Sequence, residues 1–354
     1  MAISDLRSSR RLQASWLGAG PNILTASETL LDDYFKLKPR EHVAIITDGS
    51  NPKVVNALRL VLKTSFSHPE TQMHVVNLLN PKRASSSPIP EAAKALSKSH
   101  VIIAPTAASI SYSPETQRAL KRGARLLSMA AVSPDLFVQA LSMDLRKMRQ
   151  YVGRLKHVLK PRKTADGLVT GVKSVRIIDA LGSDVTMEIA KRKLDVMDGT
   201  LHTQGVFENL PFGEVCLAPL EETATGKIVL KWWKGKKPGE GLARLRLEKG
   251  KIVWGNKAAK AIISYQRKHG GENGLKLGEL GFGANPAFNY GHITGNPLPD
   301  EKIPGVHLGL GKNTGFGGSI DCNVHRDYIL FKPTVYFDGK RVIHQGKLLG
   351  LRRA

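Results

Sequence analysis

A histidine and an aspartate stand two residues apart in the segment NVHRD at positions 323–327, within the run IDCNVHRDYIL. Side chains of a β-strand alternate between its two faces, and the backbone rises about 3.3 Å per residue. His325 and Asp327 are therefore expected to project from one face, roughly 6.6 Å apart at the backbone. Such a pair either binds a metal ion or lies on an exposed strand, where the two side chains are solvated or paired with each other. Further candidate ligands are needed to favour the metal site.

Three more candidate ligands occur in segments of the second half that are punctuated by Gly or Pro. They are Glu214 in PFGEVCLAP, Glu279 in LGELGFGANP and His307 in LPDEKIPGVHLGLG. Imidazole nitrogen and carboxylate oxygen suit Zn, Co or Mn, and a catalytic site leaves a position for water. Five ligands exceed the need of one catalytic zinc but fit two ions about 3.5–4 Å apart. The set therefore predicts a dinuclear centre.

Other ionisable residues nearby have simpler interpretations. Cys216 shares the segment PFGEVCLAP, but a buried free thiol is more often packed than ligating. Asp300 and Glu301 are expected to cap a turn or to pair with Lys302. His292, in NYGHITGN, is either a loop histidine or part of the wall of a substrate pocket.

The first half of the chain has the pattern of an α/β domain. Residues 41–140 alternate apolar runs with amphipathic stretches: EHVAIITD, PKVVNALRLVLKTSF, MHVVNLL, PEAAKALSK, SHVIIAPT, SPETQRALKRG and ARLLSMAA. Continuous Val and Ile runs separated by helical segments indicate βαβ units around a buried parallel sheet. The turn after the first strand contains only Gly49 and lacks the Gly-rich dinucleotide fingerprint. We predict a Rossmann-like domain with a structural or substrate-gating role.

An amphipathic helix is predicted to follow. In LRKMRQYVGRLKHVLKPRK, apolar residues recur at helical spacing from Leu145 to Leu159, basic residues occupy the other faces, and Pro161 closes the helix. We interpret it as a connection between domains rather than an RNA-binding or membrane-surface helix. The predicted domains are 1–165, an α/β domain with this linker helix, and 166–354, a β-rich α+β metal-binding domain.

Strand signals dominate after about residue 166. The runs VRIIDALGSDVTMEI, GKIVLKWW, ARLRLEKGKIVWG and YILFKPTVYFDGKRVIHQG are rich in strand-forming residues. The Asp338-Gly339 pair predicts a hairpin, because a tight primed turn needs positive φ at both central residues.

Composition narrows the class of protein. The 354 residues are 41% hydrophobic and 23% charged, and two cysteines exclude a secreted disulfide framework. The N-terminus has no signal-peptide core, and no run approaches about 18 apolar residues. A formal net charge of +23 raises nonspecific attraction to nucleic acid, but no nucleic-acid-binding motif accompanies it. We predict a cytoplasmic protein without membrane or specific nucleic-acid partners.

Ordered segments of the chain resemble the metalloaminopeptidase family typified by aminopeptidase T. They are NLPFGEVCLAP, GSDVT, GKIVL, GELGFGANP, TGNPLPDEKIPGVHLGLG and the HRD triplet, with SHVIIAP and GARLLSMAAV in the first half. The resemblance covers most of the chain. It implies a dimer with an enclosed active site and five metal ligands: Glu214, Glu279, His307, His325 and Asp327.

The chain departs from that family shortly after His307. The peptidases carry a tyrosine there that is thought to help at the metal site, whereas this chain reads HLGLGKNTGFGG, with Thr314 and Phe316 in that region. Tyr290 or Tyr328 is the candidate substitute.

The chain also resembles the ring-opening dioxygenases that act on dihydroxypyridine. That family keeps the His-x-Asp pair for one iron(II) ion and has histidine where the peptidases have the glutamate of the ELG segment. Here that residue is Glu279, which favours the two-metal hydrolase. A triad of His307, His325 and Asp327 with open positions would suit oxygen chemistry.

The sequence therefore predicts an aminopeptidase that hydrolyses the N-terminal residues of peptides. Two ions of Zn, Co or Mn would share a bridging water, and Glu214 or Glu279 would move the proton. The alternatives are a mononuclear iron(II) ring-cleaving dioxygenase and a basic nucleic-acid-binding or scaffold protein without catalysis. The expected partners are a peptide substrate and further copies of the chain, in a homodimer or a higher homo-oligomer.

Overall fold

The computed structural model of the protein describes residues 22–66, 73–77, 90–111, 113–163, 169–233, 236, 241–293 and 296–350. The chain divides into two compact units: Met1–Met143 with Gly199–Phe212 form unit 1, and Asp144–Asp198 with Gly213–Ala354 form unit 2.

The described strands are numbered in chain order. They are Val43–Thr47 (β1), Met73–Asn77 (β2), Val101–Ala104 (β3), Arg125–Ser128 (β4), Arg162–Lys163 (β5), Val169–Thr170 (β6), Ser174–Ile178 (β7), Asp184–Glu188 (β8), Asp195–Met197 (β9), Phe207–Asn209 (β10), Glu214–Leu217 (β11), Thr225–Leu230 (β12), Ala243–Glu248 (β13), Lys251–Gly255 (β14), Leu277–Gly283 (β15), Gly305–Gly311 (β16), His325–Ile329 (β17), Thr334–Phe337 (β18), Lys340–His344 (β19) and Lys347–Leu348 (β20).

Unit 1 contains a parallel sheet with the strand order β2-β1-β3-β4-β10. Strands β1, β3 and β4 are buried over their whole length, which explains their unbroken apolar runs. The α-helices of this unit span Ile23–Thr29, Pro52–Ser65, Pro90–Lys98, Pro114–Lys121 and Pro134–Leu141, and a π-helical turn spans Leu30–Tyr34. The order is that of a doubly wound sheet, so the predicted Rossmann-like fold is confirmed.

Two helices of unit 1 begin at Ser-Pro pairs. The Ser113 hydroxyl accepts a hydrogen bond from the backbone N–H of Thr116, and Ser133 does the same for Leu136. Serine at the N-cap accepts a hydrogen bond from an N–H group that the helix leaves without a partner, and proline at the first helical position has no N–H group to satisfy. These starts were readable from the sequence.

Unit 2 contains a two-stranded sheet of β5 and β6 and two antiparallel sheets with more strands. One has five strands in the order β17-β16-β15-β11-β9, and the other has eight in the order β14-β13-β12-β8-β7-β18-β19-β20. Strands β11, β15 and β16 are buried at every position, whereas β8 and β13 alternate buried and exposed residues. The eight-stranded sheet therefore has a solvent face, while the centre of the five-stranded sheet is covered on both sides.

The hairpin predicted at Asp338-Gly339 joins β18 to β19. Both residues have positive φ, 47° and 80°, as a primed two-residue turn requires. The Asp338 carboxylate also accepts hydrogen bonds from the backbone N–H groups of Lys173 and Ser174, at 3.1 and 2.8 Å. The turn residue thus helps to fix the start of β7 beside the hairpin.

The amphipathic helix spans Leu145–Leu159, and Asp144 caps its N-terminus. Its buried residues are Met148, Val152, Leu155 and Leu159, as the spacing predicted. The helix belongs to unit 2 rather than to a first domain ending at residue 165. The remaining helices of unit 2 span Lys260–Gly270 and Pro297–Asp300, with short 3-10 turns at Lys257–Ala259, Asn273–Leu275, Tyr290–His292 and Thr314–Phe316.

Unit 1 is also not contiguous, because Gly199–Phe212 return to it and supply β10 as an edge strand beside β4. No helix within the described ranges combines the length and apolarity needed to cross a bilayer.

Candidate metal centre

The five predicted ligands lie on four neighbouring strands of the five-stranded sheet. Glu214 begins β11, Glu279 is in β15, His307 is in β16, and His325 and Asp327 are in β17. Successive pairing of β11 with β15, β15 with β16 and β16 with β17 brings them together. A sheet thus assembles residues that are as far as 113 positions apart in the sequence.

Glycines lie opposite these side chains on the adjacent strands. Gly283 pairs with Glu214, and Gly281 pairs with His307. Gly309 pairs with Glu279 on one side and with Asp327 on the other. A Cβ atom on Gly309 would lie 2.7 Å from the Cβ of Glu279 and 2.8 Å from Oδ1 of Asp327. The glycines therefore provide the volume that the convergent side chains occupy.

The side-chain atoms of the five residues form a continuous series of contacts. His307 Nε2 lies 2.9 Å from Glu214 Oε1 and 3.3 Å from Glu279 Oε1. His325 Nε2 lies 2.9 Å from Glu279 Oε2 and 3.3 Å from Asp327 Oδ1. The His307 and Glu214 side chains are 1% and 4% exposed, whereas that of His325 is 30% exposed. The series therefore runs from a dry end at His307 to a solvent-accessible end at His325.

The geometry at the His325 end fits a metal ion. Ligand atoms of Glu279, His325 and Asp327 all lie within 4.8 Å of one another. The Nδ1 of His325 is 2.7 Å from the carbonyl of Lys312, and because a carbonyl can only accept, Nδ1 carries the proton. When the ring loses its second proton, the lone pair is on Nε2 and faces both carboxylates, which is the arrangement of a metal-ligating histidine.

A buried oxygen without a partner gives a second sign of a cation site. Oδ1 of Asp327 accepts no hydrogen bond within the part of the chain that the structure describes, since its approach to His325 lacks hydrogen-bond geometry. Buried carboxylate oxygens are normally satisfied, and such an oxygen calls for a missing water or ion. A bound divalent cation would supply the partner.

The negative charges of the clustered carboxylates also favour a positive charge at this site. Burial alone would raise the pKa of Glu279, but hydrogen bonds from His307 and His325 lower it to about 2. Burial alone would lower the pKa values of both imidazoles, yet the hydrogen bonds that they donate to the carboxylates, and the negative charges of the carboxylates, raise these values well above the usual range. The protons on the imidazoles occupy the nitrogens that a metal ion would bind, so the ion and the protons would compete for these nitrogens.

Sequence reasoning missed Lys302 as a member of this cluster. Its side chain is 1% exposed, and its Nζ contacts both Glu301, at 2.7 Å, and Glu214. Pairing with Glu301 was expected, but pairing with Glu214 was not. Nothing in the local pattern LPDEK signals a contact with a residue 88 positions away.

Cys216 and Asp195 are also close to the centre. The Sγ of Cys216 lies within 4.8 Å of ligand atoms of Glu214 and Glu279. Burial, and then the charges of those two glutamates, raise the pKa of this thiol, so it remains protonated and its expected packing role fits. Asp195 pairs with Cys216 across β9 and β11. Desolvation and the charge of Glu214 raise the pKa of Asp195, which the sequence did not single out.

The three candidate accessory residues, Tyr290, Tyr328 and His292, lie in different parts of the structure. Tyr290 lies over β16, where a Cβ on Gly305 would overlap its hydroxyl. Tyr328 pairs with Leu308 and therefore faces away from Asp327; its hydroxyl accepts a hydrogen bond of 3.2 Å from Gln266. His292 is in the 3-10 turn that begins at Tyr290, and its side chain lies outside what the structure describes.

An aromatic ring lies beside the solvent-accessible end of the cluster. In the region where the peptidases carry tyrosine, the ring of Phe316 packs edge-on against that of His325, with centroids 5.6 Å apart. Phe316 has no hydroxyl, so this position offers an apolar wall rather than a proton donor.

The chain belongs to the family NicX: 2,5-dihydroxypyridine 5,6-dioxygenase, which matches residues 33–350. The 2,5-dihydroxypyridine dioxygenase from Pseudomonas putida KT2440 is similar in structure, with a TM-score of 0.72 and 19% identity over 93% of this chain and 98% of that one. Wild-type AmpT from Thermus thermophilus is also similar, with a TM-score of 0.61 and 15% identity over 93% and 99% of the two chains. No curated protein matches the chain.

These findings confirm both resemblances and the fold. Identities of 19% and 15% show the fold alone, so the hydrolase prediction is supported only by a distant structural likeness. Family membership favours the dioxygenase alternative instead. The preference for hydrolysis depended on the single carboxylate of Glu279, and that residue also fits a one-metal site with His325 and Asp327.

Proposed function

We propose that this protein is an iron(II)-dependent dioxygenase that opens the ring of a dihydroxylated pyridine. The observation that carries the proposal is the family match across residues 33–350, together with the convergence of Glu279, His325 and Asp327. Imidazole and carboxylate ligands with open positions are typical of non-haem iron(II) oxygenases. Iron(II) bound there would supply the oxygen chemistry, in which both atoms of dioxygen enter the product as one ring bond breaks.

The residues of the chain would hold, orient and shield this centre. Glu279, His325 and Asp327 are the proposed ligands, and His307 Nε2, 3.3 Å from Glu279 Oε1, supports the Glu279 carboxylate from the other side. The carbonyl of Lys312 fixes the His325 ring. The exposed edge of His325 gives a substrate access, and burial of His307 excludes water from the other end.

A two-metal aminopeptidase is the second candidate. The specific observation in its favour is that Glu214 and Glu279 place carboxylates on both sides of His307. Two ions of Zn, Co or Mn bound beside His307 would supply a bridging water with a pKa of about 7. Glu214 or Glu279 would carry the proton to the leaving amine.

Parallel assays on one preparation separate the two functions. Metal-free protein is loaded anaerobically with Fe(II), and oxygen consumption is followed after addition of 2,5-dihydroxypyridine. A second portion is loaded with Co(II) or Zn(II) and given aminoacyl anilides. We expect one equivalent of oxygen to be taken up for each equivalent of the pyridine consumed, and we expect no anilide cleavage. Anilide cleavage without oxygen uptake would instead establish the aminopeptidase.

A matched variant tests the role of Glu279. Replacing Glu279 by His creates a site with three histidines, and the dioxygenase proposal predicts that iron binding and oxygen uptake survive. The aminopeptidase mechanism predicts that hydrolysis is lost, because the carboxylate shared by two ions is removed.

A further inference from the structure

The loop that joins β16 to β17 is held in one shape by the buried side chain of Asn313. Oδ1 of Asn313 accepts a hydrogen bond of 2.7 Å from the backbone N–H of Ile320. The backbone N–H groups of Phe316 and Gly318 donate to the carbonyl of Asn313, at 3.2 and 3.0 Å. A Cβ atom on Gly318 would overlap the amide of Asn313. The loop therefore presents Phe316 in a defined position beside His325.

An ion pair from two other segments of unit 2 anchors this loop. Arg192 lies between β8 and β9, and Glu221 follows β11. The guanidinium of Arg192 contacts Oε2 of Glu221 and donates a hydrogen bond of 2.7 Å to the carbonyl of Gly317. Oε1 of Glu221 accepts hydrogen bonds from the backbone N–H of Ser319, at 2.8 Å, and from Nδ2 of Asn313, at 3.3 Å. The pair thus holds the backbone on the C-terminal side of Phe316.

This ion pair is sheltered from solvent, unlike most pairs on a protein surface. The side chains of Arg192 and Glu221 are 16% and 24% exposed, whereas those of the pair Arg176 and Asp184 are 56% and 49% exposed. Burial alone would raise the pKa of Glu221, but the hydrogen bond from Ser319 and the charge of Arg192 lower it to about 2. Exposed pairs contribute little to structure, so the sheltered pair is the one expected to fix a loop.

The ring of Phe316 lies at the end of the cluster that a substrate can reach. Its centroid is 5.6 Å from that of His325, the two rings are inclined by 80°, and the His325 side chain is 30% exposed. Phe316 is itself half-buried, so part of its ring remains open to a ligand. Aromatic rings prefer offset-stacked or edge-to-face contacts with centroids about 4.5–7 Å apart. A planar aromatic ring bound beside His325 is the ligand that suits this surface.

We propose that Phe316 selects a substrate with an aromatic ring by packing against that ring, and that Arg192 and Glu221 are positioning residues that act through Phe316. The class of substrate rests on the proposed function. The competing role for Phe316 is support of the His325 ring alone, which would affect metal binding rather than substrate binding.

Substrate binding without turnover tests the role of Phe316. Wild type and variants are loaded with Fe(II), kept free of oxygen, and titrated with 2,5-dihydroxypyridine by calorimetry. Phe316→Ala should raise Kd about tenfold, the loss typical of removing one stacked aromatic side chain, with its iron content unchanged. Phe316→Tyr keeps the ring and should bind like wild type. Trp254→Ala removes an exposed aromatic side chain of β14 and is the control. Phe316→Leu replaces the alanine variant if that protein does not fold.

A double-mutant cycle tests the two positioning residues. Arg192→Met should raise Kd severalfold in the wild-type background but change it little in the Phe316→Ala background, because residues that act through one another are not additive. Glu221→Gln removes the same ion pair and should give the same result, so it also serves if Arg192→Met does not fold. Arg176→Met removes an exposed ion pair and should leave Kd unchanged.

Three results would overturn the proposal: an unchanged Kd in Phe316→Ala, loss of iron from that variant, or additive effects in the cycle. Failure of wild type to bind the pyridine would reject the proposed function and the substrate class together. Oxygen uptake is measured separately. Uptake with an unchanged Kd in Phe316→Ala would reject the role of Phe316 and leave the proposed function, whereas binding that depends on Phe316 without uptake would do the reverse.

Discussion

His325 combines a ring fixed by a hydrogen bond with a second nitrogen that faces two carboxylates. Its Nδ1 donates to the carbonyl of Lys312, and its Nε2 faces Glu279 and Asp327 at 2.9 and 3.3 Å. A histidine held in this way presents one tautomer and one orientation. In the proposed centre, Nδ1 of this ring would fix its orientation while Nε2 would bind the metal.

Replacing His325 or Asp327 by Ala should remove the metal and leave the fold. Neither side chain is part of the apolar core, so the variants should remain folded, whereas metal affinity should fall at least ~100-fold, beyond the loss typical of outer-shell changes. Metal content and circular dichroism of the purified variants measure this. Glu248→Ala, at an exposed position of β13, is the control. Stoichiometric metal in both variants would reject the ligand assignment.

The metal-free protein should lose stability as pH rises. Carboxylates raise the pKa values of His307 and His325 well above the ordinary 6.5, so their contribution is complete below that pH and disappears as pH climbs through the raised values. The lowered pKa of Glu279, about 2 against 4.5, acts oppositely and is lost only toward pH 2.

Thermal unfolding of metal-free protein at pH 6 and pH 9 measures this effect. The midpoint should be lower at pH 9, and the increase on adding metal should be larger there, because deprotonated imidazoles bind metal. A His325→Ala protein should show a weaker pH dependence. Equal midpoints at both values would contradict the charge state described for the cluster.

At the scale of elements, the glycines of β15 and β16 make the centre possible. Gly309→Ala would bring a methyl group within 3 Å of atoms of Glu279, Asp327 and His325. Overpacking of this kind typically costs about 1–3 kcal/mol, and metal affinity should fall with it. Denaturant unfolding and metal titration measure both effects. Gly153→Ala, in a helix where a Cβ meets nothing within 4 Å, should be neutral or stabilising.

Local patterns predicted the elements well. The continuous apolar runs of β1 and β3 and the Asp338-Gly339 turn each depend on a few adjacent residues. The short strand β10 was missed, since the three residues Phe207–Asn209 carry no periodicity long enough to read.

Long-range relations in the site were only partly predictable. The five ligand candidates could be collected because each stands in a Gly-punctuated segment that resembles a known family. Lys302 could not, because its contact with Glu214 arises from a backbone crossing at Gly283 that no spacing encodes.

At the scale of the whole molecule, the net charge of +23 should produce weak, salt-sensitive binding to nucleic acid. Counterion release makes such binding fall steeply with salt. A filter-binding titration of duplex DNA at 50 and 200 mM salt should show a loss of at least ~100-fold for several phosphate contacts. Tight, sequence-selective binding at the higher salt would favour a nucleic-acid function over the enzyme.

The homo-oligomer implied by the family resemblances remains a prediction. Light scattering after gel filtration should give at least twice the chain mass of 38.6 kDa. A monomer at micromolar concentration would remove this expectation without affecting the ligand assignment.

Because unit 1 includes Gly199–Phe212, it cannot be completed until this later segment has been synthesised. When residue 143 has left the ribosome, β4 still has an unpaired edge, because β10 ends at Asn209, 66 residues later. At about 5–20 residues per second the edge stays open for roughly 3–13 s. An open strand edge invites pairing with other chains. A chain truncated near residue 143 should therefore aggregate more readily than the full chain.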